Sequence, residues 1–419
     1  MISIAAAAGA AAVLYALATR EAAPSQDLPF TSYTATSKSI ELLAALDEGA
    51  PSATLGETFG LTSASVTVSA ASPLIKGEVL LKILCMSVDP YLRGGIKSIN
   101  GLTGAANEPC PRVMSGFVAG IVIASNDEAW AVGDRFGAHL PFATVQRAFL
   151  GRTVAWKLTG LVGSNDANIS YGVGVLGMPG ATAYGGLTGV LRPREEKKET
   201  ILITAAAGAV GSLVGQIAKQ VYGATVIGTA GGPGKVHTLL SKYDFDYAID
   251  RKALPDQAED GTWRARKEAL IGELKTAAPH GIDMVFENVG QDHFEAAFES
   301  LAPKGRIAVC GQIAAYNDNR CAGVCVCVCV CVCVCVTAPE RGEREEACVC
   351  VCVWWSKRAK SVRPRDTCAA TGSPYTSSSF SSLTQRHASD AEYQPRAHDL
   401  QLPTRRRLRL QSMAFGGTR

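Results

Sequence analysis

The stretch "ILITAAAGAVGSLVG", residues 201–215, holds the sharpest chemistry in the chain. Its apolar run predicts a buried strand, the small residues after it a turn, and the text beyond a helix that opens at the turn. Gly208 permits the tight turn, and Gly211 lets the start of the helix approach a bound phosphate and pack closely. A helix N-terminus offers free N–H groups and a partial positive charge, so the arrangement suits a pyrophosphate. Two glycines alone would equally serve a packing turn; the strand before them and the helix after them favour a dinucleotide. An NAD site usually places an acid at the end of the next strand, against the ribose hydroxyls. Here that strand runs out as "IGTAGGPGK" with no acid, and Lys235 stands within reach of a 2′-phosphate as a point charge. NADP(H) is favoured over NAD(H), with a solvated surface lysine as the plain alternative for Lys235.

Such a site needs a parallel sheet to carry it. After residue 180 the text alternates strand and helix: strands at 200–206, 224–230, 246–249, 281–289 and 306–311, helices over 208–223, 235–243, 264–277 and 291–301. Val210, Leu213, Val214, Ile217 and Val221 form the predicted buried face of the first helix, which Gly223 closes. This repetition is the mark of a doubly wound sheet, and unbroken apolar runs such as 201–203 suit strands covered on both faces. From about residue 60 to 160 the text is β-rich instead. "SVTVSA", "GEVLLKILCMSV", "SGFVAGIVIAS" and "HLPFATVQRAFL" are separated by turn residues, Gly133-Asp134 among them.

"MSVDPYLRGG", "LPFATVQ", "GMPGATAYGGL", "AAAGAVGS", "GIDMVFENVG" and "RIAVCGQIAAYN" together resemble the zinc-free medium-chain dehydrogenase/reductases, and most closely their prostaglandin reductase and alkenal/alkenone double-bond reductase group. The resemblance spans about residues 77–319. It implies an α/β fold: a partly open β-barrel (GroES-like) catalytic domain over 31–180 and a Rossmann domain over 181–319. It also implies NADP(H)-dependent reduction of the carbon–carbon double bond of enals and enones, with hydride delivered to the β-carbon and negative charge growing on the carbonyl oxygen. Carried over by motif, Tyr316 stands near the nicotinamide and the substrate carbonyl, and Tyr91 lines the substrate pocket. Asn288 and the 206–211 loop, with Ala207, Gly208, Ala209, Val210 and Gly211, contact cofactor, and Lys235 the 2′-phosphate. The family forms homodimers. This sequence departs from its pattern in two places. "YAIDRK" puts Asp250 where the group often has a phosphate-holding tyrosine, with Arg251 beside it to compensate, and what the family places after "YN" gives way to other text.

Composition bounds the rest. Lys and Arg total 41 against 38 Asp and Glu, a net charge of +3, too small to point to nucleic acid. Nine of the 14 cysteines sit in a Val-Cys repeat between 325 and 352; the others, Cys85, Cys110, Cys310, Cys321 and Cys368, show no disulfide framework. Cys85, Cys110 and His139 lack metal-ligand spacing and no CxxC occurs, so no metal is expected. Residues 1–30 begin with an apolar, Ala-rich run that reads either as a targeting or anchor segment or as a dispensable helix. The expected location is cytoplasmic in the second case, an organelle or the secretory route in the first. Over 320–419 the sequence predicts low-complexity repeat and disordered basic tail. A GT dinucleotide repeat read in frame alternates valine and cysteine codons, so this part is expected to be translated intronic or frameshifted text. Two further functions follow from these features: a quinone reductase of the same superfamily, or a dinucleotide-binding remnant without a finished pocket. A membrane or metal protein built around the repeat is a third class.

Overall fold

The computed structural model describes residues 32–317 apart from 100–105, 163–165, 195 and 256–263. The apolar N-terminal segment, the Val-Cys repeat and the basic tail lie outside the described residues.

Two antiparallel sheets come first. β1 (Ser32–Leu42) pairs along its whole length with β2 (Phe59–Ser69) and at its far end with β4 (Arg112–Val113). The second sheet runs β7-β3-β5-β6-β8, from Val145–Ala148, Val79–Met86, Ser115–Ser125, Arg135–Pro141 and Ala155–Lys157. Both sheets close on one core, in which Ile40, Leu42 and Phe59 meet Val79, Leu81, Ile83, Val118 and Phe136. Alternate residues of β3 point the other way, so Leu80 joins a second cluster and Leu84 a third, which Cys85 joins after a register shift at Ile83/Cys85, and the strand reads as an unbroken apolar run. The run "HLPFATVQRAFL" is not one strand. Pro141 has no N–H to continue β6, and the next residues turn to the first sheet: Phe142 O accepts from Ile40 N (3.1 Å) and Lys38 O from Thr144 N (2.9 Å).

Helix α1 (Leu92–Gly95) follows β3. Helix α2 (Met178–Tyr184) and a π-helical turn, Gly185–Leu191, lead to the parallel sheet. There β9 (Thr200–Ile203), α3 (Ala209–Gln220), β10 (Thr225–Ala230), α4 (Pro233–Ser241), β11 (Tyr247–Asp250), α5 (Arg264–Ala277), β12 (Ile282–Glu287), α6 (Gln291–Glu299) and β13 (Leu301–Val309) alternate. The order is β11-β10-β9-β12-β13, all parallel. It reverses direction between β9 and β12, and that switch point opens a crevice at the carboxyl ends of the two strands.

Helix α3 forms with Gly223 closing it at φ +64°, but the face it buries differs from the expected one. Gly211, Ser212, Val214, Gly215 and Ala218 face inward, while Val221 is exposed. A Cβ on Gly215 would run into the Phe245 ring. Close approach to the sheet therefore selects the small residues, and Val210, Leu213 and Ile217 fall on the flanks of that contact.

Candidate active site

The switch-point crevice is built first by Thr204. Its hydroxyl accepts from Asn288 N–H and its carbonyl from the Asn288 side-chain amide, both at 2.7 Å, so the ends of β9 and β12 are joined. Asn288 thus shapes the crevice through Thr204. Ala205 then takes φ +48°, and Ala206 N–H returns to Thr229 O at 2.9 Å. Gly208 N–H closes the turn on Ala205 O at 2.9 Å. Helix α3 begins at Ala209 with Gly208 as a cap that brings no side chain, so its first N–H groups have no partner within the helix. A Cβ on Gly211 would stand 2.7 Å from Ala205 O and 2.8 Å from Ala206 Cα; glycine alone lets the helix end lie this close. Ala207, Gly208, Ala209, Val210 and Gly211 therefore form a single small-residue cradle with an electropositive end, which fits a pyrophosphate.

The next strand ends without an acid, at Ala230-Gly231-Gly232. Gly232 caps α4 at φ +97°, a conformation that favours glycine. Asp250 does not face outward as an isolated charge. Its carboxylate accepts from Gly232 N–H at 2.7 Å and Lys252 N–H at 2.9 Å, and these two bonds hold its pKa below the ordinary value. Arg251 and Lys252 flank the same glycines: a Cβ on Gly231 would lie 3.9 Å from Arg251 Nη2 and 3.7 Å from Lys252 Cε. Lys235 is exposed in the first turn of α4. Lys252 is the residue that the sequence reading passed over; its signal was the second cation in "DRK".

Tyr316 follows a single turn, Ile313–Ala315, whose amides reach the β12 loop: Ile313 N–H to Asn288 O at 3.2 Å and Ala314 N–H to Val289 O at 3.1 Å. A Cβ on Gly311 would stand 3.1 Å from Tyr316 Oη, so the hydroxyl lies over the carboxyl ends of β12 and β13. Burial pushes this phenol well above its ordinary pKa of 10.0, and at neutral pH it is a protonated hydrogen-bond donor with or without that shift.

Tyr91 packs edge-on against Phe117 (6.1 Å between centroids, 72°), and Phe117 edge-on against His139 (5.3 Å, 87°). Burial lowers the His139 pKa and raises that of Cys85 to about 11, leaving a neutral imidazole and a protonated thiol. Among the described residues no group of three or more His, Cys, Asp or Glu is placed to hold a metal ion. The two tyrosine segments are joined nearby: Arg93, two residues after Tyr91, donates from Nε to Asn317 Oδ1 at 2.9 Å, one residue after Tyr316.

Comparison with known proteins agrees with this layout. The family described as "Zinc-binding dehydrogenase" matches residues 209–322, and that described as "N-terminal domain of oxidoreductase" matches 56–150. The chain is 34% identical over 274 residues to the 2-alkenal reductase (NADP(+)-dependent) of Nicotiana tabacum, covering 62% of this chain and 69% of that one. The chain belongs to the zinc-free medium-chain dehydrogenase/reductases, in the group of the alkenal and prostaglandin reductases. Prostaglandin reductase 1 of Oryctolagus cuniculus, in the same family, is 37% identical over 246 residues, 58% of this chain and 62% of that one. The structure of CurA from Vibrio vulnificus in complex with NADPH superposes with a TM-score of 0.54 at 32% identity, covering 67% of this chain and 74% of that one. Roughly a third of each relative's length is therefore unmatched. Among the described residues of this family member, no helix is long and apolar enough to cross a membrane.

Proposed function

We propose that this chain is an NADP(H)-dependent reductase of the carbon–carbon double bond of α,β-unsaturated aldehydes and ketones. The observation that carries the reading is the Tyr316 hydroxyl, placed over the β12 and β13 ends in a sheet whose β9 end carries the glycine-built pyrophosphate cradle. When bound, the nicotinamide would supply the hydride that adds to the substrate β-carbon, and the enolate so formed takes a proton from solvent at its α-carbon. The residues of this chain do the rest. The 206–211 turn holds the pyrophosphate against the start of α3. Lys235, Arg251 and Lys252 gather round the 2′-phosphate; Asp250 stays ionised with its carboxylate turned to the Gly232 and Lys252 amides, and the three cations outnumber its charge. Tyr316 donates a hydrogen bond to the carbonyl oxygen, where negative charge grows as the hydride arrives. Tyr91, with Phe117 and His139, supplies an apolar wall that leaves that oxygen with few competing partners. The names of the tobacco and rabbit relatives support the reaction class.

A second reading is a dinucleotide-binding chain without turnover, favoured by the unmatched third of the relatives. Purified full-length chain is mixed with NADPH and a panel of enals, enones and quinones, and NADPH absorbance is followed beside NADPH binding. Consumption with enals and enones supports the reductase. Binding without consumption of NADPH by any of them supports the second reading, and consumption with quinones alone assigns the related quinone chemistry.

A further inference from the structure

Arg93 is 8% exposed and is the side chain most heavily used to join distant segments near the site. Its Nη1 donates to Leu46 O at 2.8 Å, and its Nη2 to Asp47 O at 3.2 Å and Gly49 O at 3.0 Å. Its Nε donates to Asn317 Oδ1 at 2.9 Å. Gly49 N–H in turn donates to Asn317 O at 3.0 Å, so Asn317 is gripped by both its side chain and its backbone. The acceptors are three carbonyls and an amide, not a paired carboxylate. Asp47, the nearest acid on that loop, is occupied by Ser98, whose N–H and Oγ both reach its Oδ1. A buried guanidinium held this way is fixed by the direction of its donors, a geometry that a lysine ammonium does not reproduce.

The consequence falls on Tyr316. The segment bearing it is anchored at one end by the Ile313 and Ala314 amides on the β12 loop. At the other end the Arg93–Asn317 bond and the Gly49–Asn317 bond begin one residue past it. Tyr316 stands between two anchors that come from different halves of the fold.

We propose that Arg93 is a positioning residue: through Asn317 it sets where the Tyr316 hydroxyl meets the substrate carbonyl. This rests on the reductase reading above. Misplacing a reacting group by about an ångström costs up to about 100-fold in rate. Arg93→Ala and Asn317→Ala should therefore each lower kcat about 10- to 100-fold while leaving the NADPH Kd within about twofold, since the phosphate cradle is untouched. The double variant should be no worse than the worse single one, because both remove the same bond. Asn317→Asp keeps an acceptor for Nε and should restore most of the rate, whereas Arg93→Lys should behave as Arg93→Ala. A readout independent of turnover is amide hydrogen exchange on the full chain: in Arg93→Ala and in Asn317→Ala, peptides covering 44–50 and 311–317 should lose protection together. An unchanged kcat in both alanine variants, or additive losses in the double variant, would overturn the proposal and leave the reductase reading standing. If wild-type chain turns over no substrate, the exchange arm decides: joint loss of protection upholds the clasp, and loss confined to 44–50 in Asn317→Ala or Arg93→Ala overturns it. Asn317→Ala removes the Arg93 Nε bond and leaves the three Arg93 bonds to the 46–49 loop in place, so it reports even where Arg93→Ala does not fold.

Discussion

The antiparallel and the parallel halves each hold one carboxylate in the fork of an arginine, in different surroundings. In the parallel half Glu199 is 2% exposed and takes Arg306 Nη1 and Nη2 on its two oxygens, both at 2.8 Å, with Arg194 N–H a third donor at 2.8 Å. Arg306 lies on β13 and Glu199 at the head of β9, with β12 between them, so the pair spans strands that never touch through the sheet. Leu191 O, Arg192 O and Asp283 O take its remaining donors. In the antiparallel half Glu78 takes Arg147 Nε at 2.9 Å and Nη2 at 2.6 Å, but the Arg147 side chain is 26% exposed against 11% for Arg306. Water can solvate the Glu78–Arg147 pair when it opens and cannot easily solvate the Glu199–Arg306 pair. The parallel half should depend on its pair; the antiparallel half, whose two sheets share one large apolar core, should depend on its own much less.

The strongest way to break that contrast is Arg306→Met. It leaves a buried carboxylate with only the Arg194 amide and the Arg194 guanidinium 3.7 Å away, and should cost about 3–5 kcal/mol in urea unfolding. Arg147→Met should cost less, about 1.5–3 kcal/mol in the same measurement, because water can take over the bonds to Glu78, Ser72 and Pro73 that it removes. Equal losses would erase the difference. The halves should also differ in chemistry. Tyr316→Phe removes the donor at the developing oxyanion and should lower kcat about 10²- to 10³-fold with NADPH affinity unchanged. Tyr91→Phe keeps the ring against Phe117 and should change kcat less than about tenfold. Removing both Arg251 and Lys252 by alanine substitution should weaken NADPH about 10- to 100-fold, the worth of one or two charged hydrogen bonds. NADH, without the 2′-phosphate, should be little affected in the same titration.

The smallest effect is in pH. For Glu78 the Arg147 bond is the chief cause of a lowered pKa; for Glu199 burial pushes up, and the bonds from Arg306 and the Arg194 amide outweigh it. Both carboxyls are thus held below the ordinary 4.5. Each contributes stability that is full above that value and is lost as pH falls through the lowered native one. In Arg306→Met the Glu199 pKa should rise instead, so this carboxyl's contribution changes sign and the variant gains relative to wild type as pH falls. Urea midpoints measured across the acid range test this.

The two halves were not equally legible. In the parallel half α5 spans 264–277 as its pattern predicts, and the other strands and helices fall within a few residues of theirs. Their signals are local: both-face burial makes a continuous apolar run, and glycine marks the turn beside each helix. In the antiparallel half β1 went unread, because "SYTATSKSIEL" carries little apolar signal and is made a strand by its full-length pairing with β2. "HLPFATVQRAFL" split in two for a related reason, since its middle bonds to β1. Of the proposed site, the glycine turn and Lys235 are visible as types in a spacing, whereas the place of Lys252 beside Gly231 is not. Nothing in "YAIDRK" shows that Gly232, 18 residues earlier, orients the Asp250 carboxylate.

The sequence by itself determined the order of the βα units, the turn that suits a pyrophosphate and the absence of an acid after β10. Each depends on residues within a few positions of one another, where backbone preference and side-chain period act directly. Only the tertiary structure decided that the small residues of α3 face the sheet, that Asp250 turns to backbone amides, and that Arg93 meets Asn317 across 224 residues. Those outcomes depend on which distant group arrives to fill a gap or accept a bond, and local preference carries no record of that.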